Sequence, residues 1–223
     1  MADMFLRLLK KDLLVEFRSR EISASMLTFG LAVIMIFSFS INISPDLFRH
    51  FAPGLYWIMV LFIAVLGLHR MFSHEKEYDT FSMIISAPVE RGLIFLAKWI
   101  SGVLFLTVAE ILITLPFLLF LQVGIPEQWV ILIAIILLGN IGIMAIGSLV
   151  SGLAMRAKMS EVLLPILLFP LVSPQIIATV KATTAVFEGK PLASWQLWLN
   201  LMVTFALVFG LAGYLFFEHI TEE

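Results

Sequence analysis

The chain has 223 residues, 61% of them hydrophobic and only 13% charged, and its mean hydropathy of +1.05 lies well above that of the roughly half-apolar soluble domain. A net charge of -2 leaves no clustered basic surface for neutralising phosphates, which excludes nucleic acid as a partner, and the absence of cysteine excludes a disulfide framework and thiolate metal sites. These numbers predict an all-α integral membrane protein.

Residues 1–21 have no apolar core or small-residue cleavage site and do not form a secretory signal. Within them, "MFLRLLKKDLLVEFRSR" sets Phe5, Leu9, Leu13 and Phe17 at four-residue steps, with Arg7, Lys10, Lys11 and Arg18 mostly on other faces. That pattern predicts an amphipathic helix lying along the membrane interface, either as an anchor or as a working part. Six apolar runs follow that are long enough to cross the hydrocarbon layer, at 22–43, 51–72, 93–123, 129–155, 162–179 and 195–217. With the N-terminus inside, ten basic residues fall on the inner side: Arg7, Lys10, Lys11, Arg18, Arg20, Arg70, Lys76, Arg91, Arg156 and Lys158. Three fall outside, Arg49, Lys181 and Lys190, while Lys98 sits just within the third span near its inner end. This bias predicts that both termini are cytoplasmic. Tyr56, Trp57, Trp129, Trp195 and Trp198 sit at the outer ends of the second, fourth and sixth spans, where aromatic anchors are expected, and Trp99 marks the inner side.

Between the second and third spans lies the polar stretch "MFSHEKEYDTFSMIISAPVERGLIF". Glu75, Asp79, Ser82 and Ser86 fall within about 60° of one another at helical pitch, while Tyr78, Phe81, Ile84 and Ile85 take another face. Ser73 or Asp79 can cap such a helix, and Pro88 stops or bends it. The stretch therefore predicts a short two-faced helix on the cytoplasmic side, either docking a soluble partner or lying passively in the interface.

Glu110 falls near the middle of the third span, where an unpaired carboxylate costs several kcal/mol. It must face other helices, a subunit contact or water, and Asn140 and Thr107 are the candidate partners. Its role is either an interhelix bond or a group on a transport path. In the fourth span Gly147 and Ser151, like Ser148 and Gly152, stand four apart below Gly139 and Gly142, which predicts close packing. Pro165, Pro170 and Pro174 predict a fifth span broken into short pieces, re-entrant or kinked near its outer half, followed by an outer loop over 180–194.

No catalytic constellation stands out. His74 and Glu75 lack the second histidine of a helical zinc motif, and "EGKP" at 188–191 lacks the first glycine and the hydroxyl residue of a phosphate-binding loop. His50, His69, His74 and His219 all fall near span ends and are assigned to no metal or cofactor.

"EKEYDTFSMIISAPVERGLIFLAK" resembles the signature of type 2 ABC transporter permeases: an acidic end to the second span, Thr80, the pair Ile84 and Ile85, Pro88-Val89, Arg91, and Lys98 opening the third span. "LFRHFAPGLYWIMVLFIAVLGLHRMF" and "LLPILLFPLVSPQIIA" are similar to the haem exporter protein B family, the cytochrome c maturation permeases, as are the six spans, the length and the amphipathic N-terminus. Ser73 and His74 depart from a commonly acidic start, and Asp79 stands where a glycine often precedes the threonine. The resemblance implies a bacterial inner-membrane permease, not itself an enzyme and binding no cofactor directly. It implies two copies of the chain working with two copies of a cytosolic ABC ATPase subunit that uses ATP. The ATPase-coupling residues it implies are Glu75, Glu77, Asp79, Thr80, Phe81, Ile84, Ile85 and Pro88. It further implies a haem-handling membrane subunit, a small single-span subunit and a periplasmic haem chaperone as partners. Alternatives from the residues are an exporter of lipid, drug or polysaccharide, or a non-transporting scaffold that relays ATPase motion.

Overall fold

A computed structural model describes residues 2–40, 45–77, 90–154 and 160–221 of the chain. Seven α-helices are seen among these residues: α1 (Ala2–Ser19), α2 (Glu21–Ser40), α3 (Pro45–Glu77), α4 (Arg91–Phe120), α5 (Trp129–Ala154), α6 (Ser160–Phe187) and α7 (Gln196–Thr221), with a short 3-10 turn at Leu192–Ser194. Six of them, α2 to α7, are long and apolar enough to span a membrane. The chain is an all-α integral membrane protein. Arg20, at φ 54°, ends α1, because one residue in the left-handed region cannot continue a right-handed helix. The Ala24 amide already donates to the Arg20 carbonyl at 2.9 Å, so α2 starts at once.

The helix α5 is the axis of the bundle and packs against α3, α4, α6 and α7. Its small residues permit this, but by accepting large side chains into notches. A Cβ on Gly139 would strike the Trp57 ring, one on Gly142 the Gln175 amide and one on Gly147 the Leu68 side chain, and one on Gly152 would lie 2.7 Å from Phe217 Cε2. Knobs from three different helices thus enter one helix, and α5 is held on several sides at once.

The fifth span is not broken. It is helical throughout Ser160–Phe187, with Pro165, Pro170 and Pro174 inside it, contrary to the expected short pieces. Pro174 has no N–H for the carbonyl of Pro170, but the Ser173 hydroxyl donates to that carbonyl at 2.9 Å. Leu168, Val172, Ala178 and Ala182 bury its inner face, and such packing keeps the helix continuous. The expected outer loop is correspondingly shorter. The helix ends at Gly189 (φ 64°), whose amide donates to Val186 O at 3.1 Å while that of Lys190 donates to Ala185 O at 2.9 Å, the paired bonds of a glycine-terminated helix.

The aromatic anchors divide. Trp129 is 54% exposed, but Trp57 is fully buried and Trp195 is buried too. Trp57 donates Nε1–H to Thr183 Oγ1 at 2.9 Å, and the half-buried Trp99 donates to Ile141 O at 2.8 Å. An indole with a hydrogen-bonding partner inside the bundle has no need of the interface.

Candidate functional site

The expected coupling helix lies largely outside the described residues, Asp79, Thr80, Phe81, Ile84, Ile85 and Pro88 among them. Glu75 and Glu77 form part of the last turn of α3, which runs on through Glu77. Where the connection returns, its exit is fixed to α7. Tyr214 donates its hydroxyl to Glu90 Oε1 at 2.5 Å, and Arg91 Nη1 donates to the Glu218 carbonyl at 3.1 Å.

Glu110 faces the bundle interior and is 2% exposed. Asn140 of α5 donates through Nδ2 to Glu110 Oε2 and to Thr107 Oγ1 at 3.2 Å. Thus α4 and α5 are joined through three polar side chains. A third helix joins from α3: Tyr56 donates its hydroxyl to Glu110 Oε1 at 3.3 Å and lies 3.3 Å from Thr114 Oγ1. Thr114 in turn donates to the Glu110 carbonyl at 2.6 Å. Each donor to the carboxylate therefore has a second oxygen partner in reach. A small apolar cavity of about 40 Å³ adjoins this cluster, lined by Pro53, Tyr56, Thr114, Phe117 and Thr183 among others. Tyr56 is the member that the sequence does not reveal: an aromatic residue near a span end fits an interfacial anchor, and its place beside an intramembrane acid is invisible without the α3–α4 packing.

A second polar centre lies where α1 meets α4. Among the described side chains of α1, only Asp12 is buried, at 8% exposed. Its Oδ1 lies 3.1 Å from Lys98 Nζ, and its Oδ2 accepts from Ser101 Oγ at 3.4 Å. Lys98 is 3% exposed and sits 5.6 Å from the centroid of the Phe72 ring towards the C-terminal end of α3. Lys11 also lies 3.1 Å from Asp12 Oδ1. The signal was present in the sequence: Asp12 follows Phe5 by seven residues, so it falls on the apolar stripe rather than opposite it.

At the other end of the bundle a cavity of about 520 Å³ opens between residues 124–128 and the end of α6, lined by Glu127, Gln128, Phe187, Glu188 and Gly189 among others. Lys190 Nζ lies 2.5 Å from Glu188 Oε2, and His50 Nδ1 lies 3.5 Å from Oε1. The hydrogen bond from Lys190 holds the Glu188 carboxyl below the usual carboxylate range, and the charge of Lys190 and the neighbouring His50 act in the same direction.

The family described as "CcmB protein" matches residues 3–214 of the chain. Similar proteins include the heme exporter protein B of Pseudomonas aeruginosa, 28% identical over 208 residues that cover 93% of this chain and 92% of that one. The heme exporter protein B of Rhodobacter capsulatus is 27% identical over 187 residues, covering 82% of this chain and 83% of its own. That of Escherichia coli K12 is 33% identical over 95 residues, covering 43% of each chain. With its six apolar helices and a family match running from α1 into α7, this chain belongs to the CcmB protein family.

Proposed function

We propose that the chain is the membrane permease subunit of an ATP-driven complex that serves haem export in cytochrome c maturation, in the bacterial inner membrane with both termini cytoplasmic. The observation that carries this reading is the family match over residues 3–214, supported by a relative named heme exporter protein B that aligns over 92% of its length. In this reading two copies of the chain pair with two cytosolic ATPase subunits, and the chain itself hydrolyses nothing. The stretch from Glu75 to Pro88 takes the ATPase, whose closure tilts the inner ends of α3 and α4, a rigid-body movement of packed helices. A haem-handling membrane subunit, a small single-span subunit and a periplasmic haem chaperone complete the assembly. Deleting the gene should abolish covalent haem in c-type cytochromes, seen on haem-stained gels, while leaving b-type cytochromes intact. Unchanged c-type cytochromes would favour a lipid, drug or polysaccharide exporter instead.

One observation favours a second reading, a relay that moves partner proteins without passing haem through its own helices. The cavity beside Tyr56, next to the intramembrane acid, holds about 40 Å³, room for about one water molecule, so the polar cluster around Glu110 does not line a haem-sized passage. ATP-dependent release of the haem chaperone without haem flux into vesicles would support it; flux would refute it.

A further inference from the structure

The interfacial helix α1 is held to the bundle by more than its apolar stripe. Attachment to a membrane surface needs only buried apolar area on one face, and Leu6 and Leu14 of α1 remain exposed at 57% and 56%. Its most buried described side chain is instead an acid, aimed at a lysine that is itself inside the first turns of α4. A buried ion pair is a poor choice for mere adhesion, because the desolvation of two charges offsets most of their attraction and apolar residues of like volume hold as well or better. What such a pair does supply is an arrangement with defined partners that can be exchanged.

Each side of the pair has an alternative. Asp12 Oδ1 is shared between Lys98 and the more exposed Lys11, both at 3.1 Å, and Lys98 lies against the Phe72 ring. If α1 and α4 part, Asp12 retains a cation and Lys98 retains an aromatic face, so neither is left stranded. Phe72 belongs to α3 and Lys98 to α4, so the pair stands on the two helices that the connection joins.

We propose that Asp12 and Lys98 form a releasable latch between α1 and α4, with Asp12 as a positioning residue that couples the interfacial helix to movements of the α3–α4 connection. The idea rests on the permease reading for its functional consequence, but the latch itself does not.

Two measurements separate these. Limited trypsin digestion of the full chain in membrane fragments open on both faces reads the docking of α1 through cleavage after Arg18 and Arg20, sites of α1 and its end that the substitutions leave unchanged. Asp12→Asn should speed that cleavage by about fivefold or more, and the charge swap Asp12→Lys with Lys98→Asp should bring it back within about twofold. The apolar pair Asp12→Leu with Lys98→Met should also restore protection, because it packs, yet cells carrying it should make less than about a fifth of normal c-type cytochrome, because it cannot exchange partners. Unchanged cleavage in Asp12→Asn overturns the latch, and so does normal cytochrome c assembly by the apolar pair, which would make α1 a fixed anchor. If gene deletion leaves c-type cytochromes intact, the permease reading fails while the digestion series still decides whether the latch exists.

Discussion

Glu110 shows how a membrane interior manages one acid. Its carboxylate accepts from Asn140 and from Tyr56 at 3.3 Å, so three helices meet at a group that could not face lipid. Each donor keeps a second oxygen neighbour, Thr107 for Asn140 and Thr114 for Tyr56, and this redundancy limits the damage of losing the acid. Glu110→Gln keeps a carbonyl acceptor and should unfold in detergent within a few degrees of the parent. Glu110→Ala loses both bonds and opens a small void, and it should cost about 1–2 kcal/mol, read as a lower thermal midpoint. Equal, parental behaviour of both variants would remove any special role for the carboxyl. Asn140 is legible as a partner because a polar side chain on a neighbouring span is rare enough to notice; Thr107, on the same helix as Glu110, bonds Asn140 rather than the carboxyl. Tyr56 is not, because an aromatic residue near a span end also fits the interface.

At the scale of the element, α6 is where propensity and structure part. Three prolines argue for a broken helix, yet the segment is helical to Phe187 because its buried side packs against the bundle and a serine hydroxyl serves the carbonyl at Pro170. The stop signal was written further on, in Gly189. Gly189→Ala should cost about 1–2 kcal/mol, since an L side chain is strained at φ 64°; a chain with unchanged thermal stability would disprove the cap. Beside it, the depressed Glu188 carboxyl gives a pH dependence of known sign. A carboxylate favoured in the folded state contributes stability above its unfolded pKa, and that contribution is lost as pH falls through the lower folded value. Lys190→Met should return the Glu188 titration towards the usual carboxylate range, measured by carbon NMR of the side chain, because it removes the leading cause of the depression. A titration unmoved by Lys190→Met would show that His50 sets it. The expected coupling stretch is singled out by resemblance and by a two-faced pattern, most of it lies outside the described residues, and Glu75 and Glu77 extend α3.

Across the whole molecule, the permease reading makes the cytoplasmic connection the point of contact with the ATPase. Phe81→Asp should abolish co-purification of the ATPase subunit by about tenfold or more while the chain still inserts at normal levels; an intact complex would move the docking site elsewhere. What the sequence by itself determined is the class and the traffic pattern: a membrane protein, the number of apolar runs, one polar interruption and one acid within a span. Those follow from hydrocarbon thickness and the cost of exposing polar groups to lipid, which act on each segment locally. Only the tertiary structure decided that α5 is the axis, that Trp57 and Tyr56 are interior, that α6 runs unbroken through its prolines and that Asp12 meets Lys98. Those outcomes depend on which helix lies beside which, and local periodicity specifies the face a residue takes but not the neighbour that face will find.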